Sequence, residues 1–107
     1  MLYKFRSKAG GDVIMMGPNG DQVLRLLGRE PSAQGIVTRD QMAAAIAALE
    51  KAVNEDDAAF ERSVQQARAA GEAAPKRNGP QLRQRAWPLI ELMRHAQRES
   101  EDLTWGA

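Results

Sequence analysis

The sequence predicts an α+β fold, an N-terminal β-hairpin followed by three or four helices packed as one mainly helical domain, on three observations. Two β-prone runs flank a Gly-Gly pair near the N-terminus. Apolar residues then recur at helical spacing over most of the remaining chain. The length of 107 residues suits one shared core and is short for two.

The β-prone runs are Leu2 to Lys8 and Asp12 to Met16. If Gly10-Gly11 is the two-residue loop, where both positions require φ > 0, Phe5 stands opposite Met16. The period of two then places Tyr3, Phe5, Ser7, Ile14 and Met16 on the core-facing side. Lys4, Arg6, Lys8, Val13 and Met15 share the other side, where Val13 and Met15 are more apolar than solvent favours. A hairpin alone is marginal in water, so helices are expected to dock on it.

Gly17-Pro18-Asn19-Gly20 reads as a turn into a short helix capped by Asn19, carrying Val23, Leu24 and Leu27, and closed by Gly28. Arg29 to Gln34 reads as a loop containing Pro31. Thr38 and Gln41 then form a capping box, with Val37 and Met42 at the staple positions, so a helix starts at Arg39. Met42, Ile46, Leu49 and Val53 give it one apolar stripe. Asn54-Glu55-Asp56-Asp57 fits an N-cap and acidic first turn of a second helix from Glu55 to about Ala70. It equally fits the wet face of one continuous helix, because Phe60 and Val64 keep the phase.

The predicted boundaries are therefore a hairpin over 2–16, helices within 19–70, a flexible linker over 71–80, an amphipathic helix over 81–99 and a frayed tail over 100–107. In the last helix Leu82, Ala86, Leu89, Ile90, Met93 and Ala96 project into one sector. Pro88 points away from it, compatible with a kink or with a helix that begins near the proline.

Composition excludes more than it assigns. A hydrophobic fraction of 43% with 27% charged residues is ordinary for a globular chain, and the formal charge of +1 creates no global field. With no cysteine there is no disulfide framework and no thiolate metal site, and a cytoplasmic address fits best. Charges scattered through Met1 to Lys8 disfavour a signal peptide. The longest apolar run, Met42 to Leu49, is far short of the roughly 20 residues that cross a bilayer, so no membrane partner is expected.

The segments Met1-Leu-Tyr-Lys-Phe-Arg-Ser-Lys8, Gly11-Asp-Val-Ile-Met-Met16, Gly35-Ile-Val37 and Arg85-Ala-Trp-Pro-Leu-Ile90 together resemble a group of small bacterial proteins, the domain of unknown function 1840 family. The resemblance spans nearly the whole chain. It implies a bacterial origin and assigns no activity, so no catalytic or binding residue is carried over from it.

Catalytic chemistry lacks its residues. His95 is the only histidine, and no nucleophile–base set is legible. Gly17 to Asp21 lacks the Gly-Lys-Ser/Thr ending of a phosphate loop. Glu91, His95 and Glu99 line one helical strip that a divalent metal could bridge, but Arg94 and Arg98 beside them favour a solvated ion-pair strip. Neither an enzyme activity nor a cofactor or metal is expected.

Two surfaces remain as candidates. One is the outer hairpin face with Val13 and Met15, a place for self-association or a protein partner. The other is the last helix, where Arg83, Trp87, Arg94 and Arg98 fall within about 60° of one another, preceded by Lys76 and Arg77. Arginines interleaved with an aromatic grip phosphates and stack bases. They equally serve Arg83 stacking on Trp87 and ion pairs with Glu55, Asp56, Asp57 and Glu61. The expected function is a small interaction or scaffold module without catalysis, bound to a protein partner or to itself as a homodimer. Accessory nucleic-acid binding is the second, less favoured reading.

Overall fold

A computed structural model describes residues 2–77 and 79–106. The elements run β1 (Leu2–Ser7), β2 (Gly10–Met16), α1 (Gly17–Leu26), β3 (Gly35–Val37), a 3-10 turn (Arg39–Gln41), α2 (Met42–Ala69), α3 (Leu82–Arg98) and β4 (Leu103–Trp105). The four strands form one antiparallel sheet in the order β2-β1-β4-β3. Helices α1 and α3 pack on the sheet, and α2 packs on both of them. The α+β class and the three helices agree with the sequence. The mainly helical description holds only roughly, because the helices pack beside a four-stranded sheet.

The hairpin register differs from the expected one. Its turn is Lys8-Ala9, with Ser7 Oγ accepting the Ala9 N–H at 3.2 Å. Ser7 pairs with Gly10, Phe5 with Val13, Tyr3 with Met15 and Leu2 with Met16. Between the first two of these pairs, β2 has Gly11 and Asp12 where β1 has only Arg6, a one-residue bulge. Phe5 thus meets Val13 instead of Met16, an odd shift that turns β2 over. Val13 and Met15 face the core, while Ile14 and Met16 face solvent. The glycine pair misleads because neither glycine has positive φ. Gly10 serves packing instead, since a Cβ there would stand 3.1 Å from Leu92 Cδ1 of α3.

Helix α1 begins at Gly17 with Met16 as its N-cap, earlier than an Asn19 cap would allow. Pro18 sits in the first turn, where a missing N–H costs nothing. The Asn19 side chain instead accepts a hydrogen bond from Arg85 Nη1 at 3.0 Å. One turn on, Gly20 lets α1 settle onto the Tyr3 ring, which a Cβ would approach to 2.0 Å. The Tyr3 hydroxyl donates to the Asp21 carboxylate. That bond, with burial behind it, pushes the phenol pKa up.

Gly28, at φ 80°, ends α1 as the sequence implies. Its N–H bonds Arg25 O and the next N–H bonds Leu24 O, both at 2.9 Å, the paired closure of a Schellman motif. Gly71 at φ 71° and Ser100 at φ 53° end α2 and α3 with the same bond pattern. Thr38 donates its N–H to Gln41 Oε1 at 3.1 Å, so the capping box is real, but it opens a 3-10 turn that leads into α2. Helix α2 is continuous for 28 residues, with Asn54 to Asp57 inside it and no second N-cap. Met42, Ile46, Leu49 and Val53 are all buried along it, as are all six residues assigned to the α3 apolar sector. Pro88 lies inside α3 with its ring in solvent.

Within the tail expected to fray, residues 100–106 are ordered, and Ala107 lies outside the described residues. After the Ser100 turn the chain enters the sheet as β4, between β1 and β3. Trp105 pairs with Phe5 on one side and Gly35 on the other, and Thr104 with Arg6 and Ile36. Leu103 and Trp105 are buried. The indole lies against Gly35, where a Cβ would come within 2.2 Å of the ring, and donates its N–H to Ser32 O at 3.2 Å. Phe5 meets the same indole with ring centroids 5.8 Å apart. Residues 35–37, expected only to lead into a helix, become a strand because β4 pairs with them.

Replacing Trp105 by Ala removes the contacts that join β1, β3 and the 29–34 loop. It should cost about 3–5 kcal/mol in urea-induced unfolding, as large aromatic truncations in a core do. Ser100→Gly should act oppositely, because a left-handed residue is strained with a Cβ and free of strain in glycine. A gain of about 1 kcal/mol in the same measurement is expected.

Candidate interaction surface on the open sheet face

The helices occupy one side of the sheet, and its other side is uncovered among the described residues. Strand alternation sends Leu2, Lys4 and Arg6 of β1, Ile14 and Met16 of β2, Ile36 of β3 and Thr104 of β4 to that side. Leu2, Ile14 and Met16 are 61%, 60% and 61% exposed and Ile36 is 41% exposed. The register groups the first three: Leu2 is paired with Met16, and Ile14 with Lys4. Ile36 stands alone at the opposite edge of the sheet.

The rest of this face carries ion-paired charge, three cations sharing two carboxylates. Asp12 Oδ2 lies 3.6 Å from Lys4 Nζ and 3.8 Å from Arg6 Nε. Asp102 Oδ1 accepts the Arg39 N–H at 2.8 Å and lies 3.7 Å from its Nε. A shallow depression of about 450 Å³ lies among Arg6, Asp12, Arg39 and Asp102. The open face is therefore apolar at the β2 margin and ion-paired, with a small positive excess, elsewhere.

Val13 and Met15, the sequence's candidates on this hairpin, are withdrawn from the surface by the β2 flip, and Ile14 and Met16 replace them. The signal was present in the sequence, because the apolar residues of β2 occupy both phases of the alternation. Only the register decides which phase is wet.

Two arginines of α3, Arg83 and Arg94, are held by the acidic side of α2, while Arg85 bonds Asn19 and Gln22 of α1. Arg83 reaches Asp57 Oδ2 at 2.8 Å and Asn54 Oδ1 at 2.9 Å. Arg94 bonds Glu50 at 2.9 Å and Glu91 at 2.7 Å, and these bonds, Glu50 first, raise its pKa above the ordinary guanidinium value. Arg94, not Arg83, covers the Trp87 ring, 5.0 Å from its centroid. Arg98 lies 2.7 Å from His95 Nδ1. Arg77 ties the 71–80 connection to α2, 3.0 Å from Asp56 and stacked 4.2 Å over Phe60. Trp87 remains 42% exposed beside Pro88. The structure thus brings Arg83, Trp87 and Arg94 together, but as a seam between two helices. Of the carboxylates the sequence offered, Asp57 is taken by Arg83 and Asp56 by Arg77, and Glu50, taken by Arg94, is an addition.

Among the described residues no group of three or more His, Cys, Asp or Glu side chains is arranged to hold a metal ion. Glu91 of the Glu91-His95-Glu99 strip is engaged by Arg94. No described helix is long and apolar enough to cross a membrane.

These features define an α+β protein whose antiparallel sheet is covered by helices on one face and, among the described residues, open on the other. The chain belongs to the family described as Domain of unknown function (DUF1840), whose model matches residues 1–105. That span includes β4, the element that completes the sheet. No curated protein and no solved structure gives a significant match to the chain.

The α2–α3 ion pairs are solvent-screened, so they should orient helices more than stabilise them. A double-mutant cycle with Arg83→Ala and Asp57→Ala should give a coupling of about 1 kcal/mol or less in chemical denaturation, shrinking as salt is added.

Proposed function

We propose that this protein is a non-catalytic interaction module that docks a protein partner on the open face of its sheet, with Leu2, Ile14 and Met16 as the central contacts. One observation carries the reading: three large apolar side chains, each about three-fifths exposed, lie side by side on a single sheet face. Single exposed apolar residues are common on soluble proteins and mean little. A contiguous group rimmed by charge has the make-up of a contact site. The absence of a nucleophile–base set in the sequence supports a binding role over catalysis. Nucleic-acid binding draws less support, because Arg83 and Arg94 already hold carboxylates of their own chain.

Capture from a native extract after nuclease treatment tests this reading. The triple variant Leu2→Ser, Ile14→Thr, Met16→Gln alters only exposed positions and should retain cooperative unfolding while losing the proteins that the wild-type chain retains. Trp87→Ala should retain them. Equal capture by the wild type and the triple variant overturns the proposal.

A further inference from the structure

We propose that the occupant of the open face is a helix of another protein, laid along β1 and β2, whose contact side is apolar at one end and acidic toward the other. This inference rests on the reading that the open face is a protein contact, and it adds what the partner carries there.

The side chains of the face form rows across β1 and β2. Leu2 stands beside Met16, and Lys4 beside Ile14. Arg6 and Asp12 make the next row, at the bulge. Lys8 follows in the turn and lines the same depression as Arg6 and Asp12. The strip thus passes from wholly apolar at Leu2 to charged at Arg6, about 13 Å along an extended chain.

That charge has a sign. Lys4, Arg6 and Lys8 flank the strip with one carboxylate, Asp12, which Lys4 and Arg6 share at 3.6 and 3.8 Å. Glu101 and Asp102 lie on the β4 side of the sheet, where Asp102 holds Arg39. Three cations against one carboxylate leave the strip positive, and all three of Lys4, Arg6 and Asp12 are about half exposed. A second copy of this chain would bring the same sign to it. Carboxylates beyond an apolar contact are the complement, and they also steer the approach of the partner.

The shape of the strip selects a helix. The backbone groups of a sheet point within its plane, so an extended segment lying over the face finds no ladder and leaves its own N–H and C=O groups unpaired. A helix satisfies its backbone internally. Its diameter of about 10 Å covers two strands spaced about 4.8 Å apart, and the distance from Leu2 to Arg6 is about two and a half of its turns. A strand added at the β2 margin would gain ladder bonds, but β2 would stand between it and Leu2, leaving that side chain wet.

Three labelled peptides of about 18 residues, titrated with the intact chain and followed by fluorescence anisotropy, test the proposal. The first carries one helical stripe that is Leu in its first half and Glu in its second. The second has Lys in place of Glu. The third has the composition of the first, rearranged to alternate at the period of a strand. The first should bind at least about tenfold more tightly than either other and gain helical circular dichroism on binding. Its affinity should fall as salt rises from about 0.1 M to about 1 M, which shortens the screening length from about 10 Å to about 3 Å. Leu2→Ser with Ile14→Thr and Met16→Gln should lower binding beyond detection. Lys4→Glu with Arg6→Glu should exchange the order of the first two peptides, and Arg98→Glu, on α3, should leave it unchanged. All these positions are exposed, and circular dichroism checks that the variants fold.

Equal affinity for the first two peptides, or no binding of either, overturns the acidic helix. Preference for the third overturns it in favour of an added strand. Co-sedimentation of the chain with phosphatidylglycerol vesicles, lost in the triple variant, overturns it in favour of an anionic lipid surface. A wild-type dimer in sedimentation equilibrium that Ile14→Lys breaks overturns it in favour of a second copy. Where the peptides fail but capture from an extract still depends on Leu2, Ile14 and Met16, the docking reading stands and only the acidic helix falls.

Discussion

The insertion of Leu103-Thr104-Trp105 between β1 and β3 is the contact on which the rest of the structure depends. Without it, β3 has no neighbour, β1 becomes a sheet margin, and the indole that fills the space between Phe5 and Gly35 is lost. The Phe5–Trp105 pair joins residues at opposite ends of the described chain, so its loop-closure entropy is about as large as this length allows. That cost is met by burial of Leu103 and Trp105 and by ladder bonds on both sides of β4.

Helices cover only one side of the sheet that β4 completes. Antiparallel sheets tolerate one wet face, with polar side chains alternating outward, and Lys4, Arg6 and Thr104 obey that rule. Leu2, Ile14 and Met16 do not. Departures from local rules mark places where something other than the monomer's own stability sets the residue. The arginine-rich side of α3 shows the contrast: Arg83 and Arg94, conspicuous in the sequence, find carboxylate partners on α2, while Trp87 beside them stays exposed.

The sequence was most legible where the deciding interactions are local. The Val37, Thr38, Gln41 and Met42 cluster marked the entry to α2, Gly28 marked the exit of α1, and the apolar stripes of α2 and α3 matched the buried residues. It was least legible in the strands. Gly10-Gly11 imitated a hairpin loop while serving close approach to Leu92. Gly35-Ile36-Val37 and Leu103-Thr104-Trp105 are too short for periodicity to speak, although the alternation of Leu103 and Trp105 about Thr104 was a trace of the strand. The same blindness moved the candidate surface from Val13 and Met15 to Ile14 and Met16.

The sequence by itself thus determined the α+β class, the buried faces of the helices and the absence of any thiol. Tertiary structure alone decided the four-strand order, the register that makes Ile14 and Met16 wet, and the pairing of α3 arginines with α2 carboxylates. The division follows from hydrogen-bond range. A helix satisfies its backbone within four residues, so nearby side chains specify it. A strand is satisfied only by a partner elsewhere in the chain, and an odd slip against that partner exchanges its core and solvent faces.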